Sequence, residues 1–415
     1  MLKLNLLSVN SVMKKFICFA TLIACCFVTP AKAWIQRDTI GGGPRSAATG
    51  FSIGSAAYVA VGLDSNSFKR SMWMYNPATD IWTQMQSLGN VTGQGLERDL
   101  TMSFAIGNKA YIVGGQGSNP YFSDTWEWDA VTNTWSQKQA FNGGGRRAGI
   151  AFAVNGKGYV GLGQSSTGLK NDLWEYNPTT NLWSAKTNFP GSARRLAACF
   201  VINNVAYVGT GDDGTFKADM YAYDPATNMW TVKTSFPGTA RYSTVSFSIF
   251  NKGYIGLGYD NTLQNTDDIY EYDPTLNTWI FKDNFPGSKR ANATAVVTPN
   301  NKCYIGLGYD TLLRADWWEF DPLIDGIAEN MQLQNQIVAY PNPCSSELTI
   351  QLGEIITGDD HAVLLFSDLT GNVIMSNSIT SANVILNTSS YASGLYLLTI
   401  QTSEHGNITK RIVIN

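Results

Sequence analysis

The amino-acid sequence predicts an all-β chain, in which a six-bladed β-propeller precedes a small immunoglobulin-like β-sandwich. A unit of about 48 residues recurs through residues 34–323, and each unit holds four short apolar runs separated by turn residues. A region without the repeat follows it. Units of four strands at this period stack radially, because one unit alone cannot bury its apolar faces.

The units are aligned on an arginine that ends the stretch joining one unit to the next, which we call the junction. One such stretch is Glu271–Arg290, EYDPTLNTWIFKDNFPGSKR. A tyrosine follows thirteen or fourteen residues later and opens an apolar run that ends in glycine. In the first five units, two aromatic residues nine positions apart complete the pattern. The aligned arginines are Arg45, Arg98, Arg146, Arg194, Arg241 and Arg290.

The last unit stops near Asp321 without its second aromatic residue, and the N-terminus supplies a replacement. Trp34 lies eleven residues before Arg45, as Trp135 does before Arg146. We therefore expect the N-terminal strand to complete the sixth blade over residues 34–323, which removes exposed sheet edges.

Paired glycines followed by spaced Tyr and Trp residues resemble the kelch repeat, and the resemblance covers residues 34–323. The sequence departs from that pattern where "GLG" replaces "GG". The resemblance implies a kelch-type propeller.

The first 33 residues are predicted to form a secretory signal peptide, with Met13 as an alternative start of translation. Lys14-Lys15, a short apolar core and Ala31-Lys32-Ala33 give the basic, apolar and A-x-A segments of such a signal. The alternative is a lipoprotein signal, because Leu22-Ile23-Ala24-Cys25 resembles a lipoprotein box. Polar residues 324–336 are predicted to form a linker.

The tail, residues 337–415, alternates strand-like runs with Gly, Asn and Ser turns, as in a small antiparallel sandwich. Pro341-Asn342-Pro343, Asp368 with Gly371-Asn372, Gly394-Leu395-Tyr396 and the end Lys410–Ile414 resemble the C-terminal sorting domain of type IX secretion cargo. The resemblance implies the type IX machinery as a partner and a secreted or outer-surface location on a Gram-negative bacterium.

Composition narrows the possible functions. The net charge of −3 argues against nucleic acid as a ligand. We expect no membrane-spanning segment in the mature chain. The only histidines, His361 and His405, lie in the tail. A copper oxidase site or a histidine-dependent hydrolase is therefore disfavoured in the propeller, and we expect no metal or cofactor there.

The repeat arginines are candidate ligand residues, because they precede the innermost strand and could ring the mouth of the central channel. Guanidinium groups bind carboxylates and phosphates in bidentate fashion. The alternative is architectural: each arginine could pair with an acidic residue of its own unit. The candidates are Arg98, Arg146, Arg194, Arg241 and Arg290, with Arg147 and Arg195 beside two of them.

Departures from the repeat supply further candidates on the same face. A longer second junction places Glu97 and Asp99 beside Arg98. The loops between second and third strands carry aromatic residues suited to sugar stacking or a protein partner. These residues include Tyr121, Phe216, Tyr259 and Tyr309.

The sequence therefore predicts a secreted or surface-attached propeller that binds a glycan or a protein through its loop face. The alternative function is enzymatic and rests on similarity to kelch-type sialic acid mutarotases, which act on an anionic sugar without metal. In that case Glu97 or Asp99 would move protons. No catalytic residue is assigned from the sequence.

Overall fold

A computed structural model describes residues 33–89, 96–118, 121–322, 337–352, 362–368, 373–379, 381–402 and 406–415. The predicted signal peptide up to Lys32, the linker 324–336, both histidines and Gly371-Asn372 lie outside these residues. Every regular element of the described chain is a β-strand.

Six four-stranded antiparallel sheets account for most of the described residues up to Phe320. The innermost strands are Thr49–Ile53, Met102–Ile106, Ile150–Val154, Ala198–Ile202, Val245–Ile249 and Thr294–Thr298. The second strands are Ala56–Ala60, Lys109–Val113, Lys157–Gly161, Val205–Gly209, Lys252–Gly256 and Lys302–Gly306. The third strands are Met72–Asn76, Thr125–Asp129, Leu173–Asn177, Met220–Asp224, Asp268–Asp273 and Trp317–Phe320. The outer strands are Ile81–Met85, Thr134–Lys138, Leu182–Lys186, Met229–Lys233, Thr278–Asn284 and Trp34–Arg37.

The N-terminal strand Trp34–Arg37 pairs with Trp317–Phe320, so one sheet joins the two ends of the repeat region. Two further two-stranded pairings lie outside these sheets: Gln164–Ser165 with Gly168–Leu169, and Arg241–Tyr242 with Tyr259–Asp260.

Main-chain hydrogen bonds link one sheet to the next in a closed ring around the centre. Leu100 N donates to Ala47 O at 3.1 Å, and each later member donates to the one before it, until Ala47 N donates to Asn292 O at 3.0 Å. Each member has a φ between 50° and 56°, in the left-handed region. We call these the ring residues: Ala47, Leu100, Ala148, Leu196, Ser243 and Asn292.

Backbone conformation explains why only one glycine of each pair is invariant among the repeats. The first position, for example Leu162, has a φ of 56°, which a side chain can adopt at modest cost. The second, Gly163, has a φ of 83°, and a Cβ there would lie 2.5 Å from Arg147 O. The "GLG" variants therefore keep the glycine that the geometry requires.

The repeat arginines are core residues, which favours the architectural alternative over a ring of arginines at the channel mouth. Arg146 is fully buried and donates to Asp172 through both terminal nitrogens, at 2.7 and 2.9 Å. It also donates to Leu162 O at 2.6 Å, at the end of the second strand. The same pairing with an aspartate of the repeat joins Arg98 to Asp124, Arg194 to Asp219, Arg241 to Asp268 and Arg290 to Asp316.

The ion pairs lower the pKa of Asp172 and of Asp316, so these two aspartates stay charged. Burial alone would raise the pKa of Asp172, but the hydrogen bonds and positive charge of Arg146 outweigh it and lower the pKa. Four of the arginines also lie against a phenylalanine five residues earlier, as Arg194 does on Phe189 at 5.0 Å. Arg45 is different, because Ser71 stands where the other repeats have aspartate.

Outer-strand tryptophans and turn asparagines tie neighbouring sheets together. Trp183 Nε1 donates to Gln139 O of the preceding junction at 3.1 Å. Asn181 accepts from Tyr176 Oη at 2.8 Å and from Gln139 N at 2.9 Å. The outer-strand tryptophan and the turn asparagine of the repeat therefore connect neighbouring sheets in addition to packing within their own sheet.

The tail forms two sheets with an apolar core. One sheet contains Val338–Tyr340, Glu347–Gln351 and Asn383–Asn387. The other contains Val373–Ser378, Val363–Ser367, Gly394–Thr402 and Gly406–Ile414. Asn342 of the Pro-Asn-Pro motif donates to Arg411 O at 2.9 Å and accepts from Val413 N at 2.8 Å. Two of the motifs that define the sorting domain in the sequence therefore contact each other.

Within the described ranges, no helix is long and apolar enough to cross a membrane. Cys199, Cys303 and Cys344 are free. Burial raises the pKa of the Cys303 thiol well above its ordinary value, consistent with an unreactive core position.

Candidate functional site

The residue that follows each repeat arginine, not the arginine itself, adjoins the ring residues at one end of the channel that the innermost strands line. Each of these residues precedes a ring residue and forms a β-bridge to the residue after the second glycine of its repeat, as Arg147 does to Gln164. In one repeat this bridge belongs to a two-stranded ladder. We call them the rim residues: Ser46, Asp99, Arg147, Arg195, Tyr242 and Ala291.

The ring residues and their successors enclose a cavity of about 130 Å³ at this end of the channel. Its lining is uncharged and includes Leu100, Leu196, Thr101, Ser243 and Thr244. Three of its hydroxyl groups, those of Thr101, Ser243 and Thr244, are buried without a hydrogen-bond partner among the described residues. The charged groups of this end therefore lie on the rim.

Arg147 is the centre of a group of neighbouring side chains that we call the rim cluster: Arg147, Arg195, Asp99 and Tyr121. Its Nη2 donates to Gln164 Oε1 at 2.9 Å, and its Nη1 donates to Gln116 Oε1. The Tyr121 ring lies 5.5 Å from the guanidinium carbon, within reach of a cation–π interaction. The hydrogen-bond partners found for this guanidinium within the described chain are neutral, so its positive charge can act on a ligand.

Arg195 extends the cluster into the next repeat. It donates to Gln164 Oε1 at 2.9 Å through Nη1 and to Asp212 Oδ2 at 3.0 Å through Nε. Gln164 Oε1 thus accepts from both arginines and holds the two guanidinium groups side by side. The Arg195 side chain keeps 34% of its surface exposed, so a ligand can reach it.

Asp99 is the third charged residue of the rim. It is 7% exposed, and its Oδ1 has no hydrogen-bond partner within the described residues. Burial raises the pKa of Asp99 to about 6, although the positive charge of Arg147 opposes the rise. A carboxyl group with a free oxygen and a pKa near neutrality can exchange a proton with a ligand.

Aromatic residues continue the rim beyond Asp212. Phe216 packs edge-on against Tyr242 with ring centroids 4.8 Å apart, and Tyr259 lies 5.8 Å from Tyr242. Burial, with the nearby Asp212 carboxylate, raises the pKa of Tyr242, so its hydroxyl stays protonated. Together these rings form an apolar surface next to the charged cluster.

The structure brings some of the sequence candidates together and separates others. Arg147, Arg195, Asp99 and Tyr121 share the cluster, and Phe216 and Tyr259 adjoin it. Glu97 is 40% exposed and lies 3.8 Å from Arg70, outside the cluster. Tyr309, 48% exposed, bridges to Ala291. The five other arginine candidates are buried and cannot contact a ligand: Arg98, Arg146, Arg194, Arg241 and Arg290.

Four residues of this region were not predicted from the sequence: Gln116, Gln164, Asp212 and Tyr242. Only their positions in the repeat could have indicated them. Each stands directly after a repeat arginine or after a second glycine, where the repeats differ from one another. No group of three or more His, Cys, Asp or Glu residues suited to a metal ion occurs in the part of the chain that the structure describes.

Replacing Asp99 by Asn tests the environment of this carboxyl group. Between about pH 4 and pH 6 the folded state keeps a proton that the unfolded chain has lost, so Asp99 costs stability as the pH rises. We expect Asp99→Asn to stabilise the protein at pH 7 relative to pH 4, by roughly 2–3 kcal/mol. Urea unfolding at the two pH values measures the difference.

Glu97→Gln removes one negative charge from the same segment and is the control for that experiment. A loss of stability in Asp99→Asn at pH 7 would show that the carboxylate is satisfied in the folded state. The raised pKa would then be wrong.

Comparison with known families agrees with this geometry. Residues 49–238 match the KLHDC2/KLHL20/DRC7 Kelch-repeats domain, and residues 338–415 match the Secretion system C-terminal sorting domain. No curated protein matches the chain. The kelch match indicates a protein-binding propeller, and the sorting domain indicates export by the type IX secretion system to the cell surface or beyond. The chain thus combines a region similar to a kelch-repeat domain with a tail similar to a secretion sorting domain.

Proposed function

We propose that the exported propeller binds a glycan or a protein through its loop face, with a carboxylate of the ligand held by Arg147 and Arg195. The observation that carries the proposal is the shared acceptor Gln164, which places two guanidinium groups side by side at the channel mouth. Two adjacent guanidinium groups suit a carboxylate, because each offers paired N–H donors.

The charge balance of the cluster favours an anionic ligand. Asp212 offsets Arg195, whereas Arg147 is bonded to two neutral glutamine oxygens. The nearby Asp99 holds its proton below about pH 6, where Arg147 has no negative partner among the described residues, and offsets most of the Arg147 charge at neutral pH. In mildly acidic solution a ligand carboxylate would complete the neutralisation.

The neighbouring aromatic surface favours a ligand with a flat or apolar face. Phe216 forms a β-bridge to Asp212 at the end of the charged cluster, and the Tyr259 ring lies 6.3 Å from the Phe216 ring. A sugar ring or the side chains of an acidic protein segment could pack there while the carboxylate contacts the arginines.

Thermal shift of the full chain tests the binding proposal. The probes are N-acetylneuraminic acid, glucuronic acid and a polyglutamate peptide, with galactose as the neutral comparison. A probe at a hundred times its dissociation constant adds about 2.7 kcal/mol to stability. We expect at least one anionic probe to stabilise the wild type, and Arg147→Ala or Arg195→Ala to weaken it by about tenfold or more.

Lys157→Ala is the matched control. Arg147 precedes the inner strand Ile150–Val154, and Lys157 pairs with Val154 at the far end of that strand. It should bind like the wild type. If only the polyglutamate peptide stabilises the chain, the ligand is a protein rather than a glycan. If no anionic probe raises the Tm, or if both arginine variants bind as the wild type does, the binding proposal is wrong.

A second candidate function is a metal-independent mutarotase for an anionic sugar, favoured by the unpartnered oxygen and raised pKa of Asp99 beside Arg147. In such a reaction the arginines would hold the carboxylate. Asp99 would take the anomeric hydroxyl proton and return a proton as the ring oxygen opens and recloses. Asp99, not Glu97, has the position for this role.

Polarimetry of N-acetylneuraminic acid tests the second candidate. We expect the wild type to speed anomer exchange over the uncatalysed rate, and Asp99→Asn to lose about 10²-fold or more of that acceleration while still binding the sugar. Glu97→Gln should keep the rate. A wild type that does not exceed the uncatalysed rate would remove the enzymatic candidate and leave the binding proposal standing.

A further inference from the structure

Arg45 is the one repeat arginine among the described residues whose aspartate partner is replaced, here by Ser71. It is 1% exposed, like its counterparts. Its guanidinium donates to Val61 O at 3.1 Å, to Ser71 Oγ at 3.1 Å and to Gly42 O at 2.8 Å, which are all neutral oxygens. The charge of Arg45 is therefore buried without a carboxylate in contact.

In three other repeats, one oxygen of the aspartate accepts two hydrogen bonds, from the arginine Nη2 and from a tryptophan two residues after the aspartate. Asp172 Oδ2, for example, accepts from Arg146 Nη2 and from Trp174 Nε1, both at 2.9 Å. The same arrangement occurs at Asp124 with Trp126 and at Asp316 with Trp318. This oxygen is the acceptor that Ser71 does not supply.

Both donors remain in the first repeat. Trp73 Nε1 is buried and has no hydrogen-bond partner in the described residues. Within the described chain, Arg45 Nη2 donates to Gly42 O alone, whereas Arg146 Nη2 donates both to Gly143 O and to the aspartate. A Cβ added to Gly42 would lie 2.2 Å from Arg45 Nη2 and 2.3 Å from Trp73 Nε1, so the two side chains converge on one place. Ser71 is shorter than aspartate by a carboxylate oxygen and the carbon that carries it.

We propose that a small monovalent anion, chloride in particular, binds between Arg45, Ser71 and Trp73 in place of the absent carboxylate oxygen. The buried cation requires a negative charge, because an unpaired charge inside a protein costs several kcal/mol. Two N–H donors and a hydroxyl group supply the ligands of such an anion. The near-complete burial of Arg45 excludes large organic anions.

The nearest acidic side chain acting on Arg45 is Asp64, which supports the charge only at a distance. Asp64 is itself paired with Lys69 and accepts from the main chain of Asn66 and Ser67. Because its oxygens are engaged there, this carboxylate does not serve as the missing acceptor. Trp73 is only partly buried, which leaves a route for an ion from solvent.

Thermal unfolding of the full chain in sodium chloride and in sodium gluconate of equal ionic strength tests the proposal. We expect chloride to raise the Tm of the wild type by roughly 2–4 °C over gluconate. Ser71→Asp restores the carboxylate found in the other repeats. It should raise the Tm in gluconate and abolish the chloride effect.

Asp172→Ser is the matched converse variant, since it creates the same arrangement of serine, arginine and tryptophan in the third repeat. It should lower the Tm in gluconate and enlarge the chloride effect. If the wild type and Ser71→Asp respond equally to chloride, the ion acts elsewhere and the proposal fails. If Ser71→Asp stabilises but the wild type does not respond to chloride, a water molecule occupies the site and the proposal also fails.

Bromide provides a test that needs no variant. Anomalous scattering from wild-type crystals soaked in sodium bromide should show a peak in contact with Trp73 Nε1 and Arg45. Well-occupied bromide sites elsewhere with no peak at this position would contradict the proposal.

Discussion

A buried arginine–aspartate pair, repeated from sheet to sheet, is the interaction on which this molecule depends. Through its side chain, each paired arginine joins the junction that precedes the inner strand to the end of the second strand and the start of the third, as Arg146 does with Leu162 O and Asp172. Through its carbonyl oxygen, the same residue accepts from a glycine of the preceding repeat, as from Gly115 N at 2.7 Å. In the five repeats that carry the aspartate, one residue type therefore fixes both the inside of a sheet and its link to the neighbour, and the desolvated charge of the arginine requires the pairing.

The side chains at the rim can differ among the repeats because the arginine that precedes each of them is the same in every repeat. The position after the arginine holds Ser46, Asp99, Arg147, Arg195, Tyr242 or Ala291, while its backbone keeps the same bridge to the following loop. The scaffold thus presents different side chains at equivalent places around one channel. Three neighbouring positions carry charge and a fourth is aromatic, which gives the mouth a polar side and an apolar side.

The repeat determined how much of this could be predicted. Period, turns and the position of Trp34 indicated the sheets and the pairing of the N-terminal strand, because these features depend on spacing alone. The direction of a side chain does not follow from spacing, so the sequence left two roles open for Arg146 and its counterparts. The rim glutamines were missed for a different reason. Gln116 and Gln164 are neutral and occur on turn-rich loops, and their role arises only from contacts with arginines of neighbouring repeats.

The most direct measurement compares two arginines that are adjacent in the chain. Chemical unfolding of Arg146→Ala and Arg147→Ala, with Arg194→Ala and Arg195→Ala as an independent second pair, separates architecture from recognition. We expect loss of Arg146 or Arg194 to cost about 3–5 kcal/mol, because a partly buried aspartate loses its partner, and loss of Arg147 or Arg195 to cost about 1 kcal/mol or less. Equal losses within each pair, or a larger loss at Arg147 and Arg195, would contradict this expectation.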